Sequence, residues 1–213
     1  MGAESQSDRL RRLLLAPWSS GSYCRCMVVS VVFETHSWSE DNDCGIATGW
    51  HHGRLSSEGR HLAGELGDRR SDDGIDIVFT SDLRRAVETA EIAFAGTDTP
   101  ILHDWRLREC NYGAGNGMPA AQLHRNKARY ITTPYPEGES WTRAVERVGW
   151  FLDDMTRHAD GQRILVVGHV ATYWGIVHCT VGTPVADLIA DGFDWKLGWE
   201  FELTGSVGAD RCR

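Results

Sequence analysis

The 213 residues contain no apolar run long enough to cross a bilayer, so a membrane-spanning helix is not expected. There is no Cys-x-x-Cys pair. The six cysteines, Cys24, Cys26, Cys44, Cys110, Cys179 and Cys212, are scattered along the chain. That scatter speaks against a disulfide framework and for reduced thiols in a cytoplasmic protein. Cys24-x-Cys26 has no second ligand pair at a metal-binding distance in sequence, so no zinc site is expected there. Positive charge is also short. A net charge of -8 removes the electrostatic basis for binding nucleic acid or an anionic membrane surface. The apolar part of the segment from Arg9 to Trp18 is only Leu13-Leu14-Leu15-Ala16 before Pro17, too little for a secretory leader. No solenoid-length repeat is present.

What is present is a set of short β-branched runs alternating with amphipathic stretches. Residues 1–26 are rich in Ser and Arg, lack a period, and read as a disordered extension, with Met27 a natural start directly before the first run. A domain over 27–205 and a flexible tail over 206–213 complete the expected organisation. The run from Val28 to Phe33 reads as a buried strand and ends at Glu34-Thr35-His36-Ser37. Ile75–Phe79, Ile101–His103 and Ile164–Val167 read as further strands, and Trp195–Leu203 as an edge strand that could pair with a second copy in a homodimer. Ser56 and Ser81 stand where caps of two helices would be. Residues 120–130 and 170–180 read as further helices. Trp141, Val145, Val148, Leu152 and Met155 form one apolar stripe on a long helix that Gly161 ends. Strands alternating with helices predict an α/β fold: a three-layer α/β/α sandwich around a mostly parallel sheet.

Two of the strands deliver a histidine at the carboxyl end, His36 and His169. Ligands of open α/β sheets bind in the crevice beyond those ends. The pair could hold a metal, with Asp41, Asp43 or Glu109 as a third ligand, or act on a substrate; spacing leaves both open. Ser81-Asp82-Leu83-Arg84-Arg85 places two cations at a third strand-to-helix turn, where helix amides and an arginine fork favour an anion. Arg85 and Thr89 lie one turn apart and could both line the site. Trp38, Trp50 and Trp105 fall on rim segments, either as loop packing or as a pocket for a ring or apolar group.

Six motifs in order resemble those of the histidine phosphatase superfamily, also called phosphoglycerate mutase-like. They are His36 with Asn42 six residues on; Ala47-Thr48-Gly49-Trp50 with Leu55-Ser56-Ser57-Glu58-Gly59; and Ser81 through Ala90. Trp105-Arg106-Leu107-Arg108-Glu109 with Tyr112-Gly113, Pro136-Glu137-Gly138-Glu139-Ser140, and Val166-Val167-Gly168-His169 follow. The resemblance implies a metal-independent phosphomonoesterase without cofactor, acting on a small organic phosphate. His36 would form a phosphohistidine. Arg85 and His169 would stabilise the phosphoryl oxygens, and Glu109 would protonate the leaving oxygen and then help activate water. Thr35, Ser37, Asn42, Thr48, Gly49, Tyr112 and Val170 would line the substrate's place.

The chain departs from the family pattern in three places. Thr35-His36-Ser37 stands where the family has Arg-His-Gly, so a phosphate-clamping arginine is absent, and Val170 follows the second histidine. Arg54, Arg84 and Arg108 are the candidates to compensate. The substrate-binding lysine of the mutases falls at Ala120 and their arginine pair near Pro136-Glu137, which argues against a glycolytic mutase. Two alternatives remain: an enzyme of this fold using the histidines and Glu109 for acid–base chemistry on a non-phosphate substrate, and a noncatalytic ligand-binding pseudoenzyme.

Overall fold

The run opening at Val28 is a strand with both faces covered, as its near-continuous apolar character requires. In the computed structural model, which describes residues 28–204, the order is β1 (Val28–Thr35), α1 (Glu40–Asp43), β2 (Ile46–Ala47), α2 (Ser57–Arg70), β3 (Ile77–Thr80), α3 (Arg84–Ala93), β4 (Ile101–His103), β5 (Met118–Pro119), α4 (Ala120–His124), α5 (Trp141–His158), β6 (Arg163–Gly168), α6 (Val170–Val181), α7 (Val185–Asp191) and β7 (Trp199–Thr204). The expected N-terminal extension and C-terminal tail lie outside the described residues.

The main sheet has the order β4-β3-β6-β1-β7, parallel except for β7, which runs against β1 at the edge. Side chains alternate across it. Val31, Phe33, Ile164 and Val166 meet Val148, Phe151 and Leu152 of α5 and Ile176 of α6 on one face. Val32, Val78, Leu165 and Val167 meet Leu66 of α2 and Ala86, Ala90 and Phe94 of α3 on the other. The fold is thus the expected α/β/α sandwich. All five residues of the predicted α5 stripe are buried, each contributing about 1.5–3 kcal/mol relative to exposure. The hydroxyls of Ser56 and Ser140 accept from the Gly59 and Arg143 amides and cap α2 and α5 as their positions predict. A third core, with Tyr112, Leu123, Trp141, Trp174 and Leu188, joins the inserted segments to α5, α6 and α7.

Two corrections follow from the local geometry. Ser81 is not the cap of α3: the cap position is Leu83, without a side-chain bond, and the Ser81 hydroxyl is used elsewhere. The helix read over 120–130 is only α4 plus a 3-10 turn at Lys127–Tyr130, because too few side chains there find a core face.

Candidate active site

The register of the sheet brings the two histidines together. Thr35 pairs with Gly168, so the residues that follow, His36 and His169, leave adjacent strands abreast. The His36 amide donates to the Gly168 carbonyl at 2.9 Å, and the imidazole centroids lie 5.0 Å apart.

Their hydrogen bonds fix their tautomers. His36 Nδ1 lies 2.7 Å from the Ser37 carbonyl oxygen, which only accepts, so Nδ1 carries the hydrogen and Nε2 keeps a lone pair. Burial and the Arg85 cation lower the His36 pKa to about 3, so this neutral form is the one present near pH 7. His169 is buried at the start of α6, and its Nδ1 faces Arg85 Nη2 at 3.3 Å. A guanidinium only donates, so Nδ1 accepts and Nε2–H donates to Ser81 Oγ at 2.7 Å. Desolvation, then Arg85, hold the His169 pKa well below its ordinary value.

Arg85 lies between the rings, only 2 % exposed. It donates to His36 Nε2 at 3.2 Å, to the Gly49 carbonyl at 2.9 Å and to the His51 carbonyl at 3.1 Å. Every acceptor is neutral. Desolvation lowers its pKa to about 10, opposed in part by the more distant Glu109, Tyr112 and Asp41, and it stays charged near neutrality. Gly49 allows this approach: its φ is +55, and a Cβ there would run into the Asn116 side chain.

Glu109 sits on the loop after β4. Its Oε1 accepts from the Cys110 amide at 2.7 Å and the Ala171 amide at 3.3 Å. Desolvation raises its pKa, partly opposed by those amides and by Arg85 and Arg147. The segment is clamped from below. Arg147 of α5 donates to the carbonyls of Arg106, Arg108 and Glu109 and pairs with Glu139 at 2.7 Å. Trp50 Nε1 also donates to the Glu109 carbonyl, at 2.6 Å.

His36, Arg85, Glu109 and His169 all border one cavity of about 820 Å³. The other sequence-derived candidates, Thr35, Ser37, Asn42, Thr48, Gly49, Tyr112 and Val170, line it as well. Some are committed. Asn42 Oδ1 accepts from the Ser39 amide and hydroxyl at the start of α1. The Ser37 amide donates to Thr89 Oγ1. Thr35 Oγ1 accepts from Trp195 Nε1 at 3.1 Å.

The expected compensating arginines do not reach the cavity. Arg108 is bound by both oxygens of Asp82 and stacks on Trp50. Arg54 and Arg84 are exposed, Arg84 because it precedes Arg85 on a helix and so faces outward. Thr89 is buried behind Arg85, its hydroxyl donating to the Arg85 carbonyl, and does not line the cavity. Of the three rim tryptophans only Trp38 borders it. Among the described residues no group of three or more His, Cys, Asp or Glu is placed to hold a metal.

Four contributions were not read as part of the site. Ser81 holds His169, Arg147 holds the Glu109 segment, and Lys127 and Trp195 enter the cavity from the insert and from the loop before β7. Among the described residues no carboxylate lies within ion-pair distance of Lys127, and its Nζ lies 4.8 Å from the Trp174 ring centroid. Desolvation lowers its pKa. Its spacing from Tyr112-Gly113 gave no signal, because α4 and the following turn decide where it points.

Comparison with known proteins agrees with this architecture. The family model of the histidine phosphatase superfamily (branch 1) matches residues 33–193, a span that contains all four central side chains. The chain is 28% identical over 203 residues to the 2,3-bisphosphoglycerate-dependent phosphoglycerate mutase of Staphylococcus haemolyticus (strain JCSC1435), covering 76% of this chain and 88% of that one. Among solved structures, Bacillus stearothermophilus YhfR has a TM-score of 0.71 at 26% identity, over 79% of this chain and 88% of the other. A mycobacterial glucosyl-3-phosphoglycerate phosphatase complexed with VO3 has a TM-score of 0.66 at 23% identity, over 77% and 86%, a likeness of fold. A mutase thus occurs among the sequence relatives and a phosphatase among the proteins of like fold, and the chain itself belongs to the histidine phosphatase superfamily, branch 1.

Proposed function

We propose that the protein is a metal-independent phosphomonoesterase that works through a phosphohistidine at His36, on a small organic phosphate. The observation that carries this reading is Arg85: a buried cation between two neutral imidazoles, with no carboxylate in hydrogen-bond contact with it. A buried charge left without a counter-ion is costly. A phosphoryl dianion seated between the rings supplies the missing charge and takes over the guanidinium fork.

The steps follow from the protonation states. The His36 Nε2 lone pair attacks phosphorus in line, a nitrogen–phosphorus bond forms, and the bond from phosphorus to the ester oxygen breaks. Glu109, whose pKa its desolvated pocket raises, gives its proton to that oxygen, and the alcohol leaves. Water then attacks the phosphohistidine and loses a proton to the Glu109 carboxylate. Cleavage of the nitrogen–phosphorus bond returns His36 with its lone pair and releases phosphate. The bound dianion favours protonation of His169 at Nδ1, turning it from an acceptor of Arg85 into a donor to a phosphoryl oxygen. The reading prefers a phosphatase to a mutase because Ala120, Pro136 and Glu137 supply no cation.

The test is phosphate release from a panel of small phosphate esters, in chelator, by wild type and His36→Ala. Turnover that disappears in His36→Ala, together with an acid-labile phosphorylated form of the wild type only, is the expected result. Wild-type silence on the whole panel, with no phosphate binding by calorimetry, would remove the reading.

A further inference from the structure

The cavity does not end at the four central residues. Past Thr35 it continues into an arm between α2 and the 192–198 loop, bordered by Leu62, Leu66 and Arg69 on one side and Phe193, Trp195 and Leu197 on the other. Large apolar side chains are exposed at seven places among the described residues, and four of them, Trp38, Leu62, Trp195 and Leu197, border this one cavity. Trp195 is 62% and Leu197 61% exposed. Scattered apolar residues on a surface need no explanation, but several gathered on one concave wall do.

The wall is anchored at two points. Trp195 Nε1–H donates to Thr35 Oγ1 at 3.1 Å, which fixes the indole beside the residue preceding His36. At the other end of the loop Gly198, at φ +78, lies so close to Arg70 and Glu34 that a Cβ would overlap the guanidinium. That contact rests on a buried pair: Glu34 Oε1 accepts from Arg70 Nη2 at 2.6 Å and Arg69 Nη2 at 3.2 Å. Both cations near the arm therefore already face carboxylates: Arg69 faces Glu34, and Arg70 faces Glu34 and Asp73. Its remaining ionic group, Glu65, is acidic. The arm offers mainly rings and aliphatic carbon, and its one lining cation, Arg69, already faces Glu34. Lys127, which has no carboxylate within ion-pair distance among the described residues, borders the cavity from the turn after α4.

We infer that Trp38, Leu62, Trp195 and Leu197 form an apolar subsite that takes an uncharged ring or aliphatic group carried a few bonds from the substrate's phosphoryl group, with Thr35 serving as the anchor of Trp195. This rests on the phosphoryl-transfer reading above, since it assigns the second half of that substrate. A short linker is required because attack by His36 places the ester oxygen on the Glu109 side, from which the group turns back along the cavity to reach the arm.

Calorimetry with non-hydrolysable ligands tests it, comparing methylphosphonate, 4-phenylbutylphosphonate and 4-phenylbutanol on wild type and on the double variant Trp195→Ala, Leu197→Ala. Both side chains are exposed, so the variant keeps its core. The expected result is at least tenfold tighter binding of the phenylbutyl than of the methyl ligand in wild type, with that ratio falling toward one in the variant. Equal affinities in wild type, or a ratio the variant retains, would overturn the subsite. If neither phosphonate nor inorganic phosphate binds, the phosphoryl reading falls by itself. The apolar arm is then judged on 4-phenylbutanol, which must bind wild type and lose affinity in the variant, or the arm falls too.

Discussion

Two buried arginines separate what holds this molecule together from what readies it for a ligand. Arg147 and Arg85 are each 2% exposed. Arg147, under the loop after β4, meets both oxygens of Glu139 and three carbonyls, so its charge and its donors are all used within the protein. Arg85, at the carboxyl edge of the sheet, meets two carbonyls and two imidazole nitrogens and no carboxylate. The first is a finished interaction. The second is held in place by the surrounding fold, and on the reading proposed above an anion completes it.

Breaking the pairs one at a time sharpens this contrast. Arg147→Met leaves Glu139 and three carbonyls without their donor, and loss of one partner of a buried pair costs about 3–5 kcal/mol. For a chain of this size that lowers Tm by roughly 10 °C. Arg85→Met removes a cation that has no counter-charge, so its effect on Tm is a small fraction of that, read in the same melts. Its effect on phosphoryl transfer is the large one: about 10²–10³ in kcat, the scale of losing one preorganised donor to transition-state charge. Inorganic phosphate at 100 times its Kd stabilises wild type by about 2.7 kcal/mol and leaves Arg85→Met unmoved. Equal melting of the two variants would erase the distinction between them.

The sequence carried three of the four central residues because each of them sits at the end of a regular element. A strand that stops at His36, one that stops at His169, and a helix that starts near Arg85 can be found from apolar runs and their boundaries. Glu109 came only from the motif around it, since a carboxylate on a loop has no period to betray it. What could not be read was whatever depends on the path of an irregular segment. Lys127 enters the cavity because α4 breaks off at His124 and a 3-10 turn follows. Trp195 reaches Thr35 across 160 residues from a loop without local pattern. Arg108 looked like a substitute cation, yet Asp82 lies where it can hold both ends of the guanidinium. Ser81 looked like a cap, yet its hydroxyl serves His169, because Thr80 pairs with Val167 and sets the two side by side.

The two acid–base partners give a smaller, pH-dependent test. His36 is a base with its pKa lowered to about 3, so its reactive form is present above that value. Glu109 has its pKa raised above 4.5, so its donor form is lost as pH rises through that raised value. kcat/KM should therefore be bell-shaped, its alkaline limb belonging to Glu109. Glu109→Gln should remove that limb and lower the rate on an alkyl phosphate by about 10²-fold, within the range for a lost general acid. On 4-nitrophenyl phosphate, whose leaving group needs no proton, the loss should be much smaller. An alkaline limb that persists in Glu109→Gln would assign the proton donor elsewhere.

The smallest effect is expected at Thr35, and it joins the two walls of the cavity. Thr35→Arg adds a charged fork beside His36, and a charge-assisted bond to phosphate contributes about 1.5–3 kcal/mol. The new cation also lies near Arg85 with no carboxylate to offset it, and that repulsion takes back part of the gain. Inorganic phosphate should bind about tenfold tighter at low salt, with most of the difference gone at 1 M, where screening reaches within a few ångströms. The same change removes the hydroxyl that accepts from Trp195 and fills the floor of the arm with a long side chain. The preference for an apolar substituent should fall as phosphate affinity rises. A variant that gained phosphate affinity and kept that preference would show that Trp195 is held in place without Thr35, and that the two walls act independently.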